Sequence, residues 1–175
     1  MAITADDWVE ACAEPAIAEL LGALIRCFEG PVNVLETGGY TGFTSKRLAR
    51  AVADIGGRLT VCEIDPTRAE YLEEQLAALT LSVPYTVVAD DVLKYVASLP
   101  NESLDFVWVD DDHTKEHVAA EIATLLPKMR PNGILAFHDV FGSTDLQSVV
   151  RAAGGYALDL PRLGPAGGLG LLQIP

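Results

Sequence analysis

The sequence predicts an α/β domain in which helices cover both faces of one doubly wound, mostly parallel sheet of seven strands. Three observations indicate this fold class. Short runs rich in apolar residues alternate with segments of helical periodicity, these runs are largely apolar rather than alternating, and 175 residues are the length of one ordinary domain. We therefore interpret residues 1–175 as a single domain that begins with a helical segment over residues 1–30.

The first half of the chain is predicted to alternate regularly between helix and strand. Apolar residues at helical spacing predict the first helix, Pro15 suits its first turn, and Gly30 and Pro31 end it. Asp65 can cap the third helix and Pro66 can open it. The predicted elements are, in order, helix 15–29, strand 32–35, helix 43–54, strand 59–62, helix 66–78 and strand 85–88.

The second half continues the alternation and then changes character. Residues 129–133 contain proline and glycine and are predicted to form a turn. About ten residues without helical periodicity join the last two strands, which favours an antiparallel pair at the sheet edge. The predicted elements are a short helix after residue 91, strand 104–109, helix 114–126, strand 134–137, helix 144–153 and strands 156–160 and 170–174.

The composition limits the partners that we expect. The chain has 12 lysines and arginines against 25 aspartates and glutamates, for a formal charge of −13. Such a surface repels nucleic acids and anionic membranes, whereas it favours a cationic ligand. Three cysteines without paired spacing and an acidic N-terminus predict a cytoplasmic location. No apolar run approaches the ~18 residues of a membrane span.

Acidic residues follow the first five predicted strands. They are Glu36, Glu63, Asp90, Asp110 and Asp139. Ligands bind at the carboxyl ends of the strands in open α/β sheets, so we expect several of these acids to face a ligand. The alternative is helix capping, which would explain Asp91 or Asp112 but not Glu63, because Asp65 already serves as the cap.

A glycine-containing loop over residues 36–45 connects the first strand to the second helix. Its spacing is neither that of a dinucleotide fingerprint nor that of a P-loop, which argues against an NAD-dependent dehydrogenase. Gly38 and Gly42 would let a ligand approach the backbone. Glu63 follows Gly42 by 21 residues and is placed to accept the hydroxyls of a ribose.

Together these motifs resemble the class I S-adenosylmethionine-dependent methyltransferases over about residues 32–174. Segment 35–42 is similar to the motif that holds the methionine moiety, Glu63 to the ribose-binding acid, and segment 89–91 to the segment that contacts adenine. The resemblance implies a Rossmann-like fold and S-adenosylmethionine as the cofactor. The cofactor-binding residues that we expect are Glu36, Gly38, Gly42, Ser45, Glu63, Asp90, Asp91 and Asp110.

Segments 106–113, 126–133 and 137–139 resemble one branch of that class, the small-molecule O-methyltransferases, which include sugar-modifying enzymes of antibiotic pathways. Asp111 and Lys115 depart from the glycine and the aromatic residue that are usual there. The resemblance implies that Asp110, His138 and Asp139 bind Mg²⁺ or another divalent cation, although His138 departs from the usual aspartate of that set.

His113 is our first candidate for the general base, because its ordinary pKa lies near 6.5, and Asp112 is the second. Each of five further residues also has an expected role. His117 is expected to face solvent or to pack, Trp108 and Cys62 to belong to the core, and Trp8 and Tyr40 to flank a ligand.

The resulting hypothesis is methyl transfer to a hydroxyl of a small molecule, with or without the help of a metal ion. Two alternatives remain open, a cofactor-binding protein with other chemistry such as cofactor cleavage, and a non-catalytic cofactor-binding module. The apolar stripe of the first helix predicts a homo-oligomer; it comprises Leu20, Leu21, Leu24 and Ile25. The sequence does not fix the methyl acceptor.

Overall fold

Strands and helices alternate through the part of the chain that the computed structural model describes, namely residues 13, 15–80, 84–142, 145–159 and 167–175. The strands are β1 (Val32–Thr37), β2 (Gly57–Cys62), β3 (Tyr85–Val88), β4 (Leu104–Val109), β5 (Met129–Phe137), β6 (Tyr156–Leu158) and β7 (Leu169–Gln173). The α-helices are α1 (Pro15–Arg26), α2 (Phe43–Ile55), α3 (Pro66–Ala77), α4 (Val92–Ser98), α5 (Lys115–Leu125) and α6 (Leu146–Ala152).

One sheet contains these seven strands in the order β3-β2-β1-β4-β5-β7-β6. Strands β1 to β5 are parallel, whereas β7 is antiparallel to both β5 and β6. The predicted fold class and the antiparallel edge pair are therefore confirmed. The strand order reverses between β1 and β4, and ligands bind at such a switch point in open α/β sheets.

Helices cover both faces of the sheet, and each face has its own apolar core. Side chains of α1, α2 and α3 pack on one face together with Phe106 and Trp108. Side chains of α4, α5 and α6 pack on the other face with Val107 and Val109. Alternate residues of β4 thus enter opposite cores, as the pleat of a strand requires.

Local sequence signals set the helix starts. The Asp65 carboxylate accepts hydrogen bonds from the backbone N–H groups of Thr67 and Arg68, and so it caps α3. Asp91 caps α4 in the same way. The capping prediction for Asp65 is confirmed. The capping alternative holds for Asp91 but not for Asp112, because the side chain of Thr114 caps α5.

Several predicted boundaries were wrong. Helix α1 ends at Arg26 rather than at residue 29, and β2 begins at Gly57 rather than at residue 59. Residues 129–133 belong to β5 rather than to a turn, because the strand contains a bulge: Leu104 pairs with Met129, but Phe106 already pairs with Ile134. Asn132 takes a positive φ of 65° within that bulge. Strand β1 also continues two residues beyond its predicted end and includes Glu36.

The apolar stripe of α1 is used mainly within the chain. Leu21 and Ile25 are completely buried, and only Leu20 is substantially exposed, at 39%. The homo-oligomer therefore stays a prediction. Trp8 lies outside the described residues. Among the described helices, none combines the length and the apolar character that crossing a bilayer requires.

Candidate active site

The glycine loop crosses the end of β4 at very short range. Gly38 has a φ of +78°, and a Cβ at this position would clash with the backbone carbonyl of Asp110. Gly42 has a φ of +80°, where a Cβ would meet the side chain of Leu72. The loop therefore needs glycine at both positions because of its own backbone and its protein neighbours. Contact of Gly38 and Gly42 with a cofactor stays a prediction.

A small open cleft lies along this loop, with Glu36, Tyr40 and Asp110 among its lining residues. Glu36 is only 1% exposed. Its Oε2 is buried without a hydrogen-bond partner. Burial raises the pKa of Glu36 well above its usual range, and the charges of Asp110 and Glu63 add to this effect. The cleft thus offers a buried acceptor atom to a ligand that carries donors or positive charge.

Glu63 lies at the end of β2 and is 4% exposed. Its Oε2 accepts a hydrogen bond of 2.8 Å from the backbone N–H of Tyr40, and its Oε1 accepts one of 2.9 Å from that of Asp65. The carboxylate therefore ties the glycine loop to the end of β2. Each oxygen keeps a second lone pair for a further donor.

Asp90 and Asp91 follow β3 and have structural partners of their own. Asp90 forms an ion pair of 2.6 Å with Lys94, which lowers the pKa of the Asp90 carboxyl together with a hydrogen bond from the backbone of Asp91. Both carboxylates interact with the first turn of α4. Contact of either residue with adenine stays a prediction.

The ends of β4 and β5 bring four ionisable side chains together. We call Asp110, His113, His138 and Asp139 the rim cluster. The Nδ1 of His138 lies 3.0 Å from Oδ1 of Asp110, and the Nε2 of His113 lies 3.5 Å from the same oxygen and 4.0 Å from Oδ2 of Asp139. Single ligand atoms of Asp110, His113 and His138 all lie within 4.8 Å of one another. The loop after β4 thus turns inward and brings His113 to the predicted metal-binding residues.

His113 has the chemical character of a base. Its side chain is 33% exposed, so a ligand can reach it. The interaction with Asp110 raises the pKa of His113 above its ordinary value, against the opposing effect of burial. Asp112, the second candidate, is exposed, and its carboxylate accepts a hydrogen bond from the backbone N–H of Thr114.

Two contacts of the site were not predicted from the sequence. Trp108 is fully buried, as expected, but its Nε1 also donates a hydrogen bond of 3.2 Å to Oδ2 of Asp110. His117 does not simply face solvent, because its Nε2 lies 3.0 Å from Oδ2 of Asp111. The signal for the first contact was the spacing of two residues, which places both side chains on one face of β4.

The fold and the cleft together define the class of this protein. A parallel sheet with an antiparallel last pair, and an acid-lined cleft at the point where the strand order reverses, are features of a class I methyltransferase. A family model described as "Methyltransferase domain" matches residues 35–140, so the chain belongs to that methyltransferase family. The resemblance drawn from the sequence is confirmed. Among curated proteins, no significant match is found.

Solved structures share this fold at low sequence identity. A cofactor-bound protein from MTB, Rv0187, superposes with a TM-score of 0.79 at 21% identity, covering 93% of this chain and 82% of that one. The O-methyltransferase TomG from Streptomyces achromogenes, which is involved in tomaymycin synthesis and was solved with SAM, has a TM-score of 0.74 at 22% identity, covering 97% and 85%. An O-methyltransferase from Bacillus cereus, solved with SAH, has a TM-score of 0.75 at 22% identity, covering 98% and 86%.

Proposed function

We propose that this protein transfers a methyl group from S-adenosylmethionine to a hydroxyl group of a small molecule. The observation that carries the proposal is the position of the rim cluster. Its histidine base lies beside Asp110, which also lines the cleft along the glycine loop. The O-methyltransferases with the same fold, two of them solved with SAM or SAH, support this assignment.

The cleft has the chemistry that S-adenosylmethionine requires. Glu36 presents a buried acceptor oxygen without a partner, which suits the amino group of the methionine moiety. The predicted role of Ser45 in cofactor binding rests on its place beside Glu36. A cation beside Glu36 would also favour the ionised carboxylate, which burial alone disfavours. The second lone pairs of the Glu63 oxygens suit the ribose hydroxyls. Bound there, the cofactor supplies a sulfonium methyl group for an in-line displacement.

His113 is the base of this proposal. Methyl transfer depends mainly on the alignment of the acceptor oxygen, and removal of the hydroxyl proton makes that oxygen nucleophilic. Asp110 would stabilise the imidazolium that forms on His113, because its carboxylate lies at ion-pair distance from Nε2. Trp108 and His138 both contact the same carboxylate and would fix its orientation.

A divalent cation would fit the rim cluster. Asp110, His113 and His138 bring ligand atoms together and would hold it. The predicted ligand Asp139 lies next to this group, with Oδ1 3.6 Å from Nδ1 of His138. When bound, such an ion lowers the pKa of a coordinated hydroxyl and orients it. A chelator distinguishes the two versions of the proposal, because activity that persists in EDTA leaves His113 as the base without a metal.

The cofactor site is tested by calorimetry with S-adenosylhomocysteine. Glu63→Ala should weaken binding about ten- to hundred-fold, since a charged hydrogen bond to a ligand contributes ~1.5–3 kcal/mol. Glu70→Ala is the matched control, because Glu70 is exposed on α3. Glu63 also holds two backbone N–H groups, so Glu63→Gln, which keeps one acceptor oxygen, is measured in parallel. Unchanged affinity in both Glu63 variants would reject the ribose assignment.

The reaction itself is tested by measuring the release of S-adenosylhomocysteine with a panel of hydroxylated small molecules, including catechols and sugars. The panel is run with Mg²⁺, with EDTA and without any acceptor. Release that needs an acceptor supports methyl transfer. Release without any acceptor would instead favour cofactor cleavage. Light scattering of the same samples tests the predicted homo-oligomer.

A further inference from the structure

A second group of ionisable side chains lies beside α5 and has no part in the proposed methyl transfer. It comprises Asp111, His117 and Glu121, which we call the helix cluster. The Nε2 of His117 lies 3.0 Å from Oδ2 of Asp111 and 3.7 Å from Oε2 of Glu121. One ligand atom from each of the three side chains lies within 4.8 Å of the others. The three groups are therefore close enough to share one small ligand.

The sequence produces this cluster in a simple way. His117 and Glu121 are four residues apart in α5, so they share one side of the helix. Val118 and Ile122 flank them and are buried in the core beneath α5, which turns Glu121 inward as well. Asp111 belongs to the loop after β4, where it directly follows Asp110.

Glu121 is an uncommon residue for such a position. It is 1% exposed, and neither of its carboxylate oxygens has a hydrogen-bond partner. The Oδ1 of Asp111 is buried without a partner as well. Within the described ranges, the ion-pair contacts of these two acids are made with His117 and not with a lysine or arginine. Burial of an ionised carboxylate without a positive partner destabilises the folded protein, so this arrangement favours the binding of a cation.

Either a proton or a metal ion could neutralise the cluster. Burial, followed by the negative charge of Asp111, raises the pKa of Glu121 to about 9. A single proton shared by the two acids, however, provides one hydrogen bond and leaves at least one of the three orphan oxygens unsatisfied. A dication balances both carboxylates and accepts all of these oxygens as ligands, together with a nitrogen of neutral His117.

We propose that Asp111, His117 and Glu121 bind a divalent transition-metal ion. One imidazole nitrogen with carboxylate oxygens suits Zn²⁺ or Mn²⁺, whereas Mg²⁺ and Ca²⁺ prefer oxygen ligands alone. The ion would tie α5 to the loop that carries Asp110 and His113 and would hold that loop in its inward turn. This site is structural and does not depend on the proposed methyl transfer.

The test is titration of the metal-stripped full-length protein with Mn²⁺ and, separately, with Zn²⁺. Calorimetry gives the affinity, and electron paramagnetic resonance detects the imidazole nitrogen bound to Mn²⁺. Glu121→Gln and His117→Gln should each weaken one binding event by at least about 10- to 100-fold, which is the loss caused by removal of outer partners of a metal site. The matched variants His113→Gln and Asp139→Asn remove ligands of the rim cluster and should leave that event intact.

Thermal unfolding provides a readout that is independent of activity. The comparison is made in a His113→Gln/Asp139→Asn background, which removes ligands of the rim cluster. There, either ion should raise the melting temperature while the helix cluster is intact, because it binds the folded state, and should not raise it once Glu121→Gln is added. His117 is partly exposed, so His117→Gln is the variant that keeps the test valid if Glu121→Gln fails to fold. Metal binding and stabilisation that persist in both helix-cluster variants in this background, or a wild-type protein that binds neither ion, would overturn the proposal.

Discussion

Asp110 and Asp111 are neighbours in sequence, yet they belong to two clusters with opposite properties. The rim cluster is open, since the side chains of His113 and Asp139 are 33% and 31% exposed. The helix cluster is closed around Glu121, whose side chain is 1% exposed. Successive residues at the end of a strand point to opposite sides, so one short segment serves both clusters.

The difference shows what the same residue types do in different surroundings. In the rim cluster, Asp110 raises the pKa of a histidine that a ligand can reach, which makes His113 more basic. In the helix cluster, burial raises the pKa of Glu121, an acid that is almost fully closed off from solvent. The open arrangement suits a proton transfer in every turnover, whereas the closed one suits a permanently bound ion.

The strongest test of this comparison replaces His113 and His117 by glutamine, each in its own variant. His113→Gln should reduce turnover by about 10²–10⁴, the usual contribution of a general base, and should leave the affinity for S-adenosylhomocysteine largely intact. His117→Gln should cause a much smaller loss, because it acts only through the loop. Turnover is measured with the acceptor that the panel identifies. Equal losses in the two variants would remove the functional distinction between the clusters.

The next largest effect concerns Trp108, whose indole N–H donates a hydrogen bond to Asp110 of the rim cluster. Trp108→Phe keeps an aromatic ring in the core but removes the hydrogen bond to Asp110. The free energy of unfolding should fall by about 1.5–3 kcal/mol, the usual contribution of a hydrogen bond to a charged group. Urea denaturation measures this value. A double-mutant cycle with Asp110→Ala isolates the pair, and a coupling energy near zero would show that Trp108 acts through packing alone.

The sequence was sufficient to predict the fold, because each level of the pattern agrees with the others. The same alternation of strand and helix is indicated by the apolar runs, by the helix cap Asp65 and by Gly30, which follows the end of α1. The bulge in β5 was missed because Pro131 and Gly133 signal a turn. Backbone hydrogen bonds with Ile174 keep this segment in the strand. Tertiary pairing overrode local propensity there.

The site was predictable to a lesser degree. The rim cluster follows from the rule that parallel strands end at one edge, and so Asp110, His138 and Asp139 could be expected to meet. Glu121 could not be predicted, because an isolated glutamate in a helix normally faces solvent. Its burial depends on the rotation of α5 about its axis, which the packing of Val118 and Ile122 determines.

The smallest expected effect uses Cys62 as a probe beside the helix cluster. Burial, and then the charges of Asp111 and Glu121, raise the pKa of the Cys62 thiol from 9.0 to about 12. In a Cys12→Ser background near pH 9, iodoacetamide should therefore label the exposed Cys27 and spare Cys62, as mass spectrometry would detect.

Between pH 9 and about pH 12, the folded protein keeps the thiol proton of Cys62, whereas the unfolded chain loses it. The contribution of Cys62 to the free energy of unfolding therefore decreases as the pH rises through this interval. Glu121→Gln removes one negative charge and should lower the pKa of Cys62 slightly in the metal-free protein. Labelling of Cys62 as fast as Cys27 would contradict the closed character of this side of the sheet.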